Sequence, residues 1–111
     1  MQRQLISSGN GWALYMPKDV LKLLGYNPQS TYVLLTMEKN VLKISKINEN
    51  EINPDFLIKK FNKNGNGYGI YITNSIIEFL EIDPETDKVK YEIVNGDLFI
   101  SKYLNTNPKN S

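Results

Sequence analysis

Residues 7–17 read SSGNGWALYMP and residues 63–73 read KNGNGYGIYIT, so a Gly-Asn-Gly turn, an aromatic residue and a tyrosine-bearing apolar run occur twice. The second stretch lies 56 positions after the first, and this offset runs without a gap from Arg3/Lys59 to Lys46/Lys102. Gly9, Asn10, Gly11, Tyr15, Leu24, Pro28, Val33, Leu42, Ile44, Ser45 and Lys46 all recur unchanged. Pairs such as Trp12/Tyr68, Leu14/Ile70 and Val20/Ile76 exchange like for like. One register kept through glycines, prolines and apolar positions together marks an internal duplication.

Each copy then reads the same way. A short strand, Gln2–Ile6 or Ile58–Phe61, leads into the turn, where glycine allows positive φ without a Cβ clash. A second strand follows, Trp12–Met16 or Tyr68–Ile72. Val20, Leu21 and Leu24 have helical spacing and are matched by Ile76, Ile77 and Leu80. Pro17 suits a first helical position, Thr73 or Asn74 caps the second helix, and Gly25 ends the first in a left-handed conformation. Asn27-Pro28 and Asp83-Pro84 turn the chain. A closing hairpin joins Val33–Met37 to Val41–Ser45 through Lys39-Asn40. Its counterpart turns at Asn95-Gly96, with Val89, Tyr91 and Ile93 expected on a buried face and Leu98 and Ile100 on the return strand.

The chain therefore divides into a first repeat (1–47), an acidic linker (48–57), a second repeat (58–103) and a loose tail (104–111). One ββαββ copy has too few apolar residues for a stable core. Two copies covering each other's apolar faces make one folded unit of β-rich α+β class.

The 111 residues include no Cys and no His, which excludes thiol chemistry, disulfides, imidazole catalysis and the usual zinc sites. No repeated position offers a carboxylate pair or an activated Lys or Ser, so no enzyme is expected. Asp83, Glu85 and Asp87 form a carboxylate cluster, but in a helix-to-strand turn without further ligands; no metal or other cofactor is expected. No apolar run approaches a membrane span and MQRQLISS lacks the apolar stretch of a signal peptide, which points to a soluble cytoplasmic protein.

Gly9-Asn10, then Met16-Pro17-Lys18-Asp19-Val20-Leu21-Lys22-Leu23-Leu24-Gly25, then the hairpin from Val33 to Ile44 together resemble the AbrB/MazE/SpoVT swapped-hairpin family. The first copy is particularly similar to the N-terminal part of MazE-type antitoxins. The second matches less closely, because Thr73 and Glu81 replace Pro17 and Gly25. The resemblance implies a swapped-hairpin AbrB-like barrel, built here as an intramolecular pseudo-dimer of two ββαββ repeats. It also implies that the two N-terminal hairpins lie side by side and meet double-stranded DNA at a pseudo-palindromic site.

The net charge is only +1, but its distribution is uneven. Residues 1–18 carry Arg3 and Lys18 with no acid, and residues 56–77 carry Lys59, Lys60 and Lys63 with no acid. These cations would neutralise phosphates, helped by backbone N–H groups of the turns and by Asn10 and Asn66. Ser7, Ser8 and Asn64 are short polar groups able to reach phosphates or base edges. Trp12, Tyr15, Tyr68 and Tyr71 could contact sugars or bases, although Trp12 and Tyr68 read more readily as strand packing than as ligand contacts. Where the family has basic residues before Gly-Asn and before Ile-Pro, this chain has Ile6-Ser7-Ser8 and Tyr15 in one copy and Asn62-Lys63-Asn64 and Tyr71 in the other, so only Lys63 retains the charge. The expected function is a DNA-binding transcriptional regulator, monomeric with an internal two-fold and open to further association. The competing expectation is a protein-binding module, an antitoxin or inhibitor using the acidic linker.

Overall fold

In the computed structural model, which describes residues 1–104, the chain runs β1 (Gln2–Gln4), β2 (Ile6–Ser8), β3 (Gly11–Met16), α1 (Lys18–Leu24), β4 (Tyr32–Glu38) and β5 (Val41–Ile47). A 3-10 turn (Glu49–Glu51) leads to β6 (Leu57–Lys60), β7 (Asn62–Asn64), β8 (Gly67–Ile72), α2 (Asn74–Leu80), β9 (Lys88–Val94) and β10 (Asp97–Lys102). The fold is a strand-rich α+β arrangement. A six-stranded sheet has the order β1-β9-β10-β5-β4-β6, and a four-stranded sheet the order β2-β3-β8-β7. Of the tail expected over 104–111, the residues from 105 onward lie outside those described.

The opening strand of each repeat differs from its expected form. The single strand expected over Gln2–Ile6 is two strands, broken at Leu5, and the one expected over Ile58–Phe61 ends at Lys60, before Phe61. Leu5 and Phe61 are both buried, so each side chain turns into the core and the strand changes sheets there. β1 then pairs with β9 of the other repeat, whereas β2 pairs with β3 of its own. The second copy does the same: β6 pairs with β4, and β7 with β8.

The register between repeats is unchanged when the two copies are exchanged. Leu14 faces Ile70, its own counterpart, and Lys43 faces Phe99, again its own counterpart. Arg3 lies opposite Val89, and Lys59 opposite Val33, which is the same pairing with the copies swapped. Leu14, Val20, Val33, Leu42 and Ile44 are buried, as are their counterparts Ile70, Ile76, Val89, Leu98 and Ile100. The apolar alternation that buries Val89 and Tyr91 runs past the core at the hairpin tip. Ile93, expected inside, is therefore exposed, as is its counterpart Met37.

Turns and caps explain the local geometry. Gly9 and Gly65 take positive φ while Asn10 and Asn66 do not, the pattern of a type II′ hairpin with glycine first. Both residues of Lys39-Asn40 and of Asn95-Gly96 take positive φ, as a type I′ turn requires. Pro17 is the extended N-cap of α1 and not its first helical residue, so its carbonyl starts the helix while its ring sets the entry angle. Thr73 caps α2 by accepting a hydrogen bond from the Ile76 N–H at 3.4 Å.

The C-cap of α1 is Gly25 at φ 74°, and the corresponding residue of α2 is Glu81 at φ 58°. A side chain at left-handed φ is strained, by roughly 1 kcal/mol. Glu81→Gly is expected to stabilise the protein by about 0.5 kcal/mol, the unfolded-state entropy of glycine offsetting part of the gain, and Gly25→Ala to destabilise it by about 1 kcal/mol. Urea denaturation of the two variants checks both signs.

Candidate functional site

Cross-strand partners share a face of a sheet, which sorts the side chains of the two N-terminal hairpins. Trp12, Leu14 and Met16 face Ile72, Ile70 and Tyr68 on the inner side, with Trp12 and Tyr68 half-buried against the core. Ala13 and Tyr15 face Tyr71 and Gly69 on the outer side. The Tyr71 ring lies where a Cβ on Gly11 would project, and the Tyr15 ring where one on Gly67 would project. Glycine at these two positions is what lets both rings lie flat on the sheet. Ser8 and Asn64, partners of Gly11 and Gly67, flank this outer face, and Asn10 and Asn66 are exposed in the two turns.

The residues expected at one surface fall into two groups. Arg3 stands at the edge of the outer face, its guanidinium 5.0 Å from the centre of the Tyr15 ring. Lys59, its repeat counterpart, is half-buried on β6. Ser7 lies across from Trp12 on the inner side. Lys63 lies across from Tyr68 with its ammonium 5.0 Å from the ring centre, and Lys60 across from Tyr32 with its ammonium 4.7 Å away. These last four line a groove of about 730 Å³ together with the turn Pro28–Thr31 and Glu49. Lys18 and Lys22 line an adjoining hollow that shares Pro28 and Tyr68 with this groove.

Charge is distributed accordingly. The ion pairs among the described residues are Lys43–Asp97 at 3.7 Å, Lys90–Glu92 at 2.7 Å and Lys102–Asp87 at 3.8 Å. None involves Arg3, Lys18, Lys59, Lys60 or Lys63. The acids Asp83 and Asp87 serve the turn after α2: Asp87 Oδ2 accepts from the Asp83 N–H at 2.7 Å and Asp83 Oδ1 from the Glu85 N–H at 3.0 Å. No helix among the described residues is long and apolar enough to cross a membrane.

Sequence reasoning missed Ser30, Tyr32 and Glu49 of the groove, which come from a turn, from the start of β4 and from the segment between the repeats. It also missed Tyr91 as a support. The Tyr91 hydroxyl donates to the Tyr15 carbonyl at 2.6 Å, tying the closing hairpin of the second repeat to the sheet that carries Tyr15. In the other direction, the Tyr26 hydroxyl donates to the Gly96 carbonyl at 2.7 Å. Neither contact leaves a local signal, because each joins residues some seventy positions apart. No protein family, curated protein or solved structure matches the chain.

Burial pushes the Tyr91 hydroxyl well above the ordinary tyrosine value of 10.0, with nearby Arg3 opposing the shift. Burial, followed by the charge of Asp97, raises Tyr26 as well. An acid whose folded pKa is raised holds its proton longer when folded, so its stabilisation is complete below pH 10 and is lost as pH rises past the unfolded value. The melting temperature is expected to fall above about pH 10. Tyr91→Phe should make that fall shallower while costing about 1 kcal/mol at neutral pH. Thermal denaturation from pH 7 to 11 measures both effects.

Proposed function

We propose that the chain is a cytoplasmic DNA-binding transcriptional regulator that presents two paired hairpins, β2–β3 and β7–β8, to double-stranded DNA. In this reading the fold is of the AbrB-like swapped-hairpin kind, with two repeats in one chain replacing two subunits. The exchange of β1 and β6 between repeats is what such an architecture needs. The observation that carries the functional reading is electrostatic. Both hairpins share one sheet, their strands carry no acid, and the five cations in and beside them form no ion pair among the described residues.

Phosphates near the outer face are met by Arg3 and by the N–H groups of the glycine turns, and those farther along the duplex by Lys60 and Lys63 at the groove, with Lys18 and Lys59; Asn10 and Asn66 project from those turns toward the same backbone. Tyr15 and Tyr71 supply the contact at the centre, where their rings already lie flat on the sheet. The two ends are unequal, since Lys60 and Lys63 have Gln4 and Ser7 as counterparts. One half-site is therefore held more strongly than the other. The short linker Asn48–Phe56 favours a second reading, binding to a protein, because it exposes Ile52 and Phe56 among three acids.

Gel-shift titration of the purified chain with its own upstream region tests the reading. Binding is expected at low salt and should weaken steeply as salt rises. Lys60→Glu and Lys63→Glu should each lower affinity and reduce the salt slope by about one. Absence of any shift at low salt, with one stoichiometric protein partner recovered from host lysate, would replace DNA by the protein partner.

A further inference from the structure

The groove beside Tyr68 is built from four segments that are distant in sequence: the turn before β4, the 3-10 turn with Glu49, the β6–β7 junction and β8. Its volume of about 730 Å³ lies within the range of small-molecule sites, far above that of a lone ion. Lys60 and Lys63 face it with their ammonium groups held over Tyr32 and Tyr68. An aromatic ring orients a cation without neutralising it, so both charges remain available to an anion.

The internal duplication supplies its own control. At the matching positions of the other repeat, Lys60 and Lys63 become Gln4 and Ser7, while Gln29 and Thr31 become Glu85 and Asp87. There the Gln4 side-chain amide donates to the Glu85 carbonyl at 3.3 Å, spanning the corresponding place. The architecture is thus built once without either lysine. Their presence in the groove is not a requirement of folding.

Glu49 decides the kind of anion. A carboxylate at the groove repels a strand of phosphodiesters, but accepts hydrogen bonds from a hydroxyl or amino group. We propose that this groove binds a small phosphorylated molecule of nucleotide size, its phosphate held by Lys60 and Lys63 and its hydroxyl- or amino-bearing end by Glu49 and Ser30. This site shares Lys60 and Lys63 with the DNA reading but does not depend on it, and it is tested without duplex DNA.

Calorimetric titration at low salt with adenosine monophosphate, ribose 5-phosphate, inorganic phosphate and a short oligothymidylate is the experiment. Adenosine monophosphate or ribose 5-phosphate is expected to bind, the former more tightly if the base adds contacts, and inorganic phosphate more weakly than either. Lys60→Gln and Lys63→Ser, which copy the other repeat and should melt within a few degrees of the parent, are each expected to weaken binding roughly tenfold. Glu49→Gln should weaken the small ligand, whose hydroxyl or amino group loses a charged hydrogen-bond acceptor, while tightening any oligonucleotide, whose phosphodiesters no longer meet a carboxylate. Three results would overturn the proposal: no binding of either phosphorylated probe, binding indifferent to the lysine changes, or tightening of the small ligand by Glu49→Gln. Oligothymidylate binding alone, tightened by Glu49→Gln, would assign the groove to a nucleic-acid strand instead.

Discussion

The antiparallel pairing of β3 with β8, centred where Leu14 meets Ile70, is the interaction on which the rest of the molecule depends. It joins the two repeats through their most apolar strands and makes four short strands into one sheet. Each hairpin alone would be marginal in water, because two strands bury too little surface. The pairing also brings the Tyr15 ring over Gly67 and the Tyr71 ring over Gly11. The identical glycines of the two copies thus follow from the contact between the copies, as well as from the turns next to them.

Around that pairing, the other contacts between repeats occur in matched sets. Tyr26 of the first repeat reaches Gly96 at the hairpin tip of the second, and Glu81 of the second receives a hydrogen bond from Asn40 at the tip of the first, at 3.2 Å. The half-buried interaction has the phenol and the exposed one the amide, so the two ends are alike in position and unlike in chemistry. The same holds for charge. Apolar positions have stayed equivalent because each must fill the same space on both sides of one core. Surface positions carry no such constraint, and there the copies have diverged into a lysine-bearing end and an acidic one.

Much of the candidate surface was readable before the structure because it repeats. The turns at Gly9-Asn10 and Gly65-Asn66, the outward placement of Tyr15 and Tyr71, and the acid-free character of both hairpins follow from alternation, turn chemistry and composition. The break at Leu5 and Phe61 was not readable. Each is an apolar residue in a short, largely polar stretch without regular alternation, and local pattern does not distinguish a strand that continues from one that changes sheets. The grouping of Lys60 and Lys63 with Tyr32 and Glu49, away from the outer face, was hidden for a similar reason. It depends on which strands are neighbours, and β4 pairs with β6 across a long separation in sequence.

The sequence by itself determined the duplication, the two helices with their apolar faces, the places of the turns and most of the repeated core positions, since all of these are written in spacing and in residue chemistry over a few positions. Only the tertiary structure decided that each repeat lends its first strand to the other's sheet. The same packing separated the cations into one beside Tyr15 and others in a groove beside Tyr68. The physical reason is that strand pairing satisfies backbone hydrogen bonds with any partner of suitable shape. Which partner is chosen depends on how two half-cores close over each other, a property of the whole chain.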